Sequence, residues 1–276
     1  MAGKHVRSAR FRKRTPWALV VMGLFLGMAV GYSAKYVAAT PASPGSTGLY
    51  KQPHGSFSTG TGVRLLTPPI TSILLNVAPQ SQEPQLPNGC EVTSLSMLLS
   101  AVGHPVSKMV LAREQPLDPT KRVEKNGRFV YWGDPNKGFV GSVYVWADGY
   151  GIYHGPLTHL LNSIVPGRAL DLTGKPFNDI LRVVASGTPV EAWTTTTFYP
   201  TSHWLTWQSP EGRIRATLYE HAVLIVGYNQ NDIFINNPLN GEQAQAVNRK
   251  EFILAWRQLG RQAITVRPAQ AHASQP

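Results

Sequence analysis

The feature that most constrains the fold is an almost uninterrupted apolar run late in the chain, His221–Tyr228 (HAVLIVGY). A run of this length and composition is typical of a strand that is covered on both faces at the centre of a sheet. Asp232–Asn237 (DIFINN) follows after a short polar loop and predicts a hairpin partner for it. The sequence therefore predicts a domain organised around a central antiparallel hairpin.

Helices and further strands are predicted on the N-terminal and C-terminal sides of this hairpin. Apolar residues at helical spacing follow Cys90 and stop at Gly103, which predicts a helix that begins at the cysteine. Residues 126–155 are rich in glycine and aromatic residues and predict a long ordered loop. The other predicted elements are a strand at Ile73–Val77, helices at Pro156–Val165 and Pro176–Ser186, a strand at Pro189–Thr194, a helix from the Asn248/Glu251 cap to Gly260, and a strand at Gln262–Arg267. This order predicts an α+β fold, with the early helix packed on a mainly antiparallel sheet.

The basic residues are concentrated near the N-terminus. The 276-residue chain has 26 Lys and Arg against 15 Asp and Glu, and nine of the basic residues but no acidic one lie in residues 1–82. The remainder carries 17 basic and 15 acidic residues, a net charge of only +2. Since a nucleic-acid surface needs basic residues clustered on the folded domain, we expect no nucleic-acid partner.

The first 39 residues have the charge order of an export signal or a membrane anchor. Six basic residues precede Thr15, residues 15–34 carry no charge, and Trp17–Val30 is almost wholly apolar. Val37–Ala39 would suit signal cleavage, so a secreted protein is the alternative to a single N-terminal membrane span, which we slightly favour. A buried helix of the domain is the third possibility. Either favoured interpretation places the rest of the chain outside the cytoplasm.

The composition divides the chain into four segments. Of residues 40–62, 16 of 23 are Pro, Gly, Ser or Thr, which is the composition of a linker. We predict a leader with anchor or signal at 1–39, a linker at 40–67, one globular domain at 68–267 and a disordered tail at 268–276.

Cys90 is the chain's single cysteine, so no internal disulfide and no multi-cysteine zinc site can form. A lone cysteine is often a small buried hydrophobic residue. Three features favour a nucleophile instead: the first position of a helix, where the dipole stabilises a thiolate; a preceding Pro-Asn-Gly turn, expected to expose that helix end; and an exported chain, in which an unused free thiol is exposed to oxidation.

A thiol nucleophile needs a base, and His221 is the candidate among eight histidines. It stands at the start of the predicted central strand, a rigid position from which a base can be directed. The alternative is a strand-end histidine bonded only to backbone.

An asparagine on the returning strand would orient the imidazole. A three-residue hairpin loop would pair Val223 with Asn237 and put Asn237 on the same face as His221. A loop one residue longer or shorter would present Asn236 instead. Both asparagines could also be turn formers before the following proline. Cys90 precedes His221 by 131 positions and Asn237 by 147, within the spacing of the papain layout.

Several segments resemble the bacteriocin-leader-peptidase-like cysteine peptidases, the double-glycine leader peptidase family thirty-nine, in their stand-alone exported branch. The matching segments are Asn76–Gln82, Leu86–Leu95, Lys137–Gly141, Gly151–Tyr153, Gly187–Val190, His221–Tyr228 and Ile233–Leu239. The resemblance implies a papain-like fold in which Cys90 is the nucleophile, His221 the base, Asn237 the orienting residue and Gln82 the oxyanion donor. The family commonly has Asn-Asp-Pro where this chain has Asn236-Asn237-Pro238.

These observations predict an exported, bacterial thiol peptidase that hydrolyses peptide amide bonds through a Cys-His-Asn triad and an acyl-enzyme. We expect a peptide or protein substrate, membrane contact through the N-terminal segment, a monomer, and neither cofactor nor metal. One alternative is a non-catalytic module that binds peptide or glycan along the aromatic-rich segments Phe129–Tyr153 and Trp193–Trp207. The other is an amidase acting on cell-wall peptides.

Overall fold

The predicted central strand is observed at Glu220–Tyr228, and all nine of its residues are buried. It belongs to a computed structural model of the chain in which residues 71–267 are described. The predicted leader, linker and tail lie outside these described residues, as do residues 68–70 of the predicted domain. Within residues 71–267, no helix has the length and apolar character needed to cross a membrane.

The described residues form five α-helices and fourteen short strands. The helices are α1 (Cys90–Ala101), α2 (Lys108–Glu114), α3 (His154–Ile164), α4 (Phe177–Ala185) and α5 (Arg249–Gln258). The strands are β1 (Ile73–Leu74), β2 (Leu117–Asp118), β3 (Val123–Lys125), β4 (Arg128–Tyr131), β5 (Phe139–Gly141), β6 (Gly149–Gly151), β7 (Ala169–Asp171), β8 (Val190–Thr195), β9 (Leu205–Ser209), β10 (Gly212–Ala216), β11 (Glu220–Tyr228), β12 (Asp232–Asn237), β13 (Glu242–Asn248) and β14 (Ala263–Val266).

The largest sheet runs in the order β13-β12-β11-β8-β14-β7, and β1 pairs with the end of β11. Its strand pairs are all antiparallel. Two small sheets, β10-β9-β4-β3 and β2-β5-β6, lie outside it. This arrangement is an α+β fold with a mainly antiparallel sheet, as the sequence predicts.

Both faces of β11 are covered, which explains its continuous apolar sequence. Ala222, Leu224 and Val226 belong to the core that includes the buried face of α1. Val223 and Ile225 belong to the core that includes α4 and α5. Fully burying an aliphatic side chain of this kind contributes about 1.5–3 kcal/mol, so the alternating side chains of one strand join two helical layers to the sheet.

The prediction of a loop at residues 126–155 is wrong in part. The segment contains β4, β5 and β6 and a 3₁₀ turn at Trp146–Asp148. These strands are three or four residues long and two of them contain glycine, so no alternating pattern marks them. The predicted strand Ile73–Val77 is also shorter than expected, since regular pairing ends at Leu74.

The hairpin of β11 and β12 has the predicted three-residue loop but a different register beside it. The loop alone predicts Tyr228 opposite Asp232, whereas Tyr228 lies opposite Ile233. An irregularity between Ile225 and Gly227 then shifts the ladder by one residue. Leu224 consequently pairs with Asn236. This is the register of the predicted pair Val223 and Asn237.

Candidate active site

Cys90 is the first residue of α1, directly after a tightly packed turn. A Cβ on Gly89 would lie 2.6 Å from Leu86 Cβ, so this close approach requires glycine. Asn88 Nδ2 donates to the carbonyl oxygens of Ser142 and Val145, both at 2.9 Å. These contacts fix the turn against a segment more than fifty residues away and thereby fix the start of the helix.

The expectation that this turn exposes the thiol is wrong, because only 7% of Cys90 is exposed. Its Sγ–H donates to Glu91 Oε2 at 3.3 Å, and the Ala222 N–H donates to Sγ at 3.4 Å. Burial raises the pKa of the Cys90 thiol well above its usual value, and the charges of Glu91 and Glu220 raise it further. The thiol in this arrangement is therefore neutral at physiological pH.

His221 is the second residue of β11 and is 2% exposed. Its Nε2–H donates to Asn237 Oδ1 at 2.9 Å, which leaves Nδ1 as the ring nitrogen with a lone pair. Burial lowers the pKa of His221 to about 4, and the hydrogen bond to Asn237 opposes this shift only in part. The imidazole is therefore neutral and able to accept a proton across a wide pH range.

Of the two candidate asparagines, Asn237 is the one that contacts His221. Its Nδ2 donates to Gln245 Oε1 at 2.8 Å, so the amide oxygen is left facing the imidazole. Asn236 instead donates through Nδ2 to Val77 O at 2.9 Å and accepts from Ala244 N at 3.0 Å. Because successive side chains on a strand point to opposite faces, the two neighbouring asparagines have different hydrogen-bond partners.

Gln82 lies in the same region and is buried. Its backbone N–H donates to Pro238 O at 2.7 Å, which ties it to the strand end that carries Asn237. Its side-chain Nε2 donates to Pro87 O at 2.8 Å. A primary amide has two N–H groups, so one remains for a further acceptor.

Gln82, Cys90 and His221 line one cleft of about 260 Å³. Within the described residues the thiol makes no hydrogen bond to the His221 ring; its acceptor is Glu91. The structure therefore brings together three of the four predicted site residues around the cleft and joins the fourth, Asn237, to His221. The other walls of the cleft include apolar and aromatic residues, among them Phe129, Trp132, Trp146, Tyr150, Leu218 and Leu239.

The sequence reasoning missed three buried glutamates, of which Glu91 and Glu220 lie beside the thiol and Glu191 interacts with those two. Glu91 and Glu191 are fully buried and Glu220 is 8% exposed, and within residues 71–267 none has an ion-pair partner. Burial raises the pKa of Glu91 to about 7, and burial together with the charge of Glu91 raises the pKa of Glu191 and Glu220. A signal existed, because Glu91 directly follows Cys90 and Glu220 directly precedes His221.

The Cys90 sulfur and a carboxyl oxygen of each of Glu91 and Glu220 lie within 4.8 Å of one another. A group of this kind can hold a cation in principle. A hydrogen bond from the thiol to Glu91 explains why these atoms lie close together, and the raised pKa values of Glu91 and Glu220 favour protonated carboxyls. We therefore do not assign a metal site.

An α+β fold with a cysteine at the start of the first helix in residues 71–267, and a histidine–asparagine pair on a sheet across the cleft, is the papain-like peptidase fold. The chain belongs to the Peptidase_C39 like family, whose model matches residues 74–264.

Three known proteins are similar to the chain. The uncharacterized protein YvpB of Bacillus subtilis strain 168 is 36% identical over 201 residues, which are 72% of this chain and 75% of YvpB. The crystal structure of a candidate C39-like peptidase from Bacillus anthracis is 39% identical with a TM-score of 0.65, over 71% of this chain and 96% of that one. The cysteine protease CMS1MS2 of Carica candamarcensis aligns over 71% of this chain and 98% of its own at 13% identity, with a TM-score of 0.34.

Proposed function

We propose that the chain is a cysteine peptidase that hydrolyses peptide amide bonds, with Cys90 as nucleophile and His221 as base. The observation that carries this proposal is the hydrogen bond from His221 Nε2 to Asn237 Oδ1, at 2.9 Å, on a cleft that Cys90 also lines. This hydrogen bond fixes the tautomer of His221 that has its free lone pair on Nδ1. The ring in this tautomer lines the same cleft as the thiol.

The reaction proceeds through an acyl-enzyme. The Cys90 thiol gives its proton to His221 Nδ1 as the sulfur attacks the peptide carbonyl carbon, and the carbonyl π electrons move to oxygen. The Cys90 backbone N–H and the second N–H of Gln82 Nε2 meet the oxyanion, since the first N–H of a helix has no partner within the helix. The intermediate expels the amine, which takes the proton from His221, and water then hydrolyses the thioester.

A neutral thiol and a neutral imidazole are the resting partners in this scheme. Burial favours both neutral forms, so the proton moves during the attack rather than before it. Asn237 accepts the Nε2–H bond but adds no negative charge, so it orients the imidazolium while stabilising it less than a carboxylate would.

Replacing Asn237 by alanine is expected to lower kcat by roughly ten- to a hundred-fold, because the base remains but loses the partner that fixes its ring. Asn237→Asp is the conservative counterpart. Its carboxylate favours the imidazolium, so activity should be retained and the acid limb of kcat/KM should move to higher pH. Steady-state kinetics across the pH range measure both effects, and an alanine variant with the kcat of the unsubstituted chain would remove Asn237 from the proposed machinery.

A direct test of the function uses the full chain and a peptide library, with products identified by mass spectrometry. We expect new N- and C-termini in cleaved peptides and a thioester-linked acyl group that maps to Cys90 after acid quenching. Since the chain has a single cysteine, any thioester can form only there. Cleavage without labelling of Cys90, or no cleavage of any library member, contradicts the proposal.

We further propose that the enzyme works outside the cytoplasm, because a basic leader followed by the uncharged residues 15–34 has the charge order of an exported chain. In cells that express the full chain, the protein is expected in the membrane or the medium. The mass of its mature N-terminus separates an anchor, which keeps residues 1–39, from a cleaved signal. Recovery in the cytoplasm alone would contradict export.

A binding module is the second candidate, and one observation favours it. The Cys90 thiol is buried and its pKa is raised, whereas a resting thiolate would be the clearest sign of an active cysteine. In that case peptides would bind in the aromatic-walled cleft without cleavage. Binding measured by calorimetry with no product after prolonged incubation distinguishes this candidate from the peptidase.

A further inference from the structure

The carboxyl of Glu91 is held between the nucleophile and the backbone of a distant loop. Oε2 accepts the hydrogen bond of the Cys90 thiol at 3.3 Å, and Oε1 accepts the backbone N–H of Ile152 at 2.8 Å. The side chain is fully buried. Both oxygens are therefore committed, and the carboxyl cannot turn away from the sulfur without losing a buried hydrogen bond.

The space for this carboxyl depends on the absence of a side chain at Gly151. A Cβ at that position would lie 2.5 Å from Glu91 Oε1 and 3.1 Å from Glu220 Oε2. The backbone of β6 thus approaches both carboxyls more closely than any other residue type would permit.

The groups that face this carboxyl are neutral or acidic. Within residues 71–267 no lysine or arginine forms an ion pair with it. The titratable groups of the surrounding elements are Cys90 on α1, Glu191 on β8, Glu220 and His221 on β11, and Tyr150 and Tyr153 on and after β6. Any negative charge on Glu91 is therefore met by the Ile152 N–H, by the backbone N–H of Glu91 itself and by the thiol proton.

We propose that Glu91 is a positioning residue that holds the Cys90 thiol as a protonated hydrogen-bond donor in the resting site. This role rests on the proposed function, in which Cys90 is the nucleophile. The proton stays on sulfur until the thiol leaves Glu91 Oε2 for His221 Nδ1, and the carboxylate that remains keeps its hydrogen bond from Ile152. The resting enzyme is consequently a poor target for thiol reagents, and its nucleophile is released by movement at the site.

The effect of Glu91 on the pKa of the Cys90 thiol has the direction that this role requires. A carboxylate beside a thiol disfavours the thiolate by repulsion and stabilises the thiol by accepting its proton in a hydrogen bond. Both effects act together with burial to raise the thiol pKa. The Ala222 N–H acts in the opposite direction, because it donates to the sulfur and favours the anion.

The experiment measures the rate of iodoacetamide alkylation of the full chain against pH. The variant Glu91→Gln keeps the size of the side chain and an oxygen for Ile152, but it removes the charge. We expect the midpoint of the alkylation profile to move to lower pH, with about a tenfold faster reaction at neutral pH for each unit of that shift. Alkylation needs no turnover, so the result stands whether or not the chain cleaves peptides.

Two variants control this measurement. Glu191→Gln removes another buried acid of the same cluster that makes no contact with the sulfur, and we expect little change. Glu91→Asp keeps the charge nearby, and its midpoint should stay close to that of the unsubstituted chain.

A Glu91→Gln profile that overlays the original, or one that moves to higher pH, overturns the proposal; the second result would make the carboxylate the base. Should Glu91→Gln fail to fold, Glu220→Gln replaces it. It removes a charge that also acts on the thiol, and a smaller shift to lower pH is then expected, whereas no shift contradicts the proposed control of the thiol by these carboxyls. Hydrolysis that persists in Cys90→Ala would defeat the proposed function separately, without altering the alkylation result.

Discussion

Cys90→Ala is expected to abolish peptide hydrolysis, with a loss in kcat of at least about a thousand-fold. The acyl-enzyme cannot form without the sulfur, and no other thiol exists in the chain to replace it. The remaining binding groups and oxyanion donors can still hold a substrate, so KM should change far less than kcat. Initial rates on the peptide identified by the cleavage profile measure both parameters.

Three controls accompany this measurement, and the first separates loss of chemistry from loss of fold. Near-ultraviolet circular dichroism of the alanine variant should match that of the unsubstituted chain, because alanine leaves the buried site apolar and only slightly smaller. Iodoacetamide under denaturing conditions should add one label to the original chain and none to the variant. Cys90→Ser keeps the shape but offers a hydroxyl that is far harder to ionise, so it should also be almost inactive. Turnover by the alanine variant comparable with that of the original chain would assign the hydrolysis elsewhere.

The sequence predicts the parts of the fold that have a strong local pattern. The run at β11 and the helix at α1 are found where expected because each carries its own periodicity and its own stop signal, such as Gly103 with its positive φ of 79°. The small sheets were missed because their pairing is non-local. Tyr131 of β4, for instance, pairs with Gln208 of β9, which lies far along the chain, and β4 has only four residues.

The hairpin register shows how a prediction can be right at the site and wrong beside it. Loop length alone places Asn237 correctly, but Tyr228 lies opposite Ile233 rather than Asp232. The two descriptions agree at Leu224 and Asn236 because the irregularity near Val226 restores the offset. The sequence carries a signal for this bulge, because Gly227 is an isolated glycine within the strand and a Cβ there would lie 2.3 Å from the Ile73 carbonyl oxygen.

The positions of the site residues were more predictable than their environment. The hairpin register predicts that Asn237 lies beside His221, and the family resemblance predicts that Cys90 joins them; the structure brings Cys90 and His221 to one cleft and Asn237 to His221. The thiol pKa was expected to fall, because a helix N-terminus stabilises an anion by about 0.3–1 kcal/mol. The structure reverses this direction, since the effective cost of removing an ion from water is several kcal/mol and two acidic side chains add repulsion. The surroundings of the thiol come from residues far from Cys90 in sequence: the Ala222 N–H donates to its sulfur, and Ser142 and Ile152 bind the neighbouring Asn88 and Glu91.

Removing His221 is the second change with a large expected effect. His221→Ala should lower kcat by about a hundred- to ten-thousand-fold, the usual contribution of a positioned base. In the original chain the imidazole must be neutral to accept the thiol proton. Because burial lowers the pKa of His221 to about 4, kcat/KM should fall with a midpoint near pH 4 as the pH decreases, rather than near the ordinary histidine value.

The lowered pKa of His221 also predicts how the free energy of unfolding depends on pH. This dependence must be known before the acid limb of kcat/KM is interpreted. Between pH 6.5 and about 4 the unfolded chain binds a proton at His221 that the folded chain does not, so the free energy of unfolding decreases as the pH falls through this window. The loss from this one group is at most about 3 kcal/mol, and it ends below the folded pKa. Rates must therefore be taken where circular dichroism shows the folded state, so that the acid limb reports protonation and not unfolding.

The pH profile of kcat/KM and the pH dependence of stability together test the role of His221. In His221→Ala the residual activity should lose its acid limb near pH 4, and the stability curve should become flatter between pH 6.5 and 4 because the depressed group is gone. His159→Ala provides the matched control, since it removes an exposed histidine from α3 and should leave both curves unchanged. An acid limb that stays near pH 4 in the His221 variant would assign the titration to a group other than His221 and contradict its role as the base.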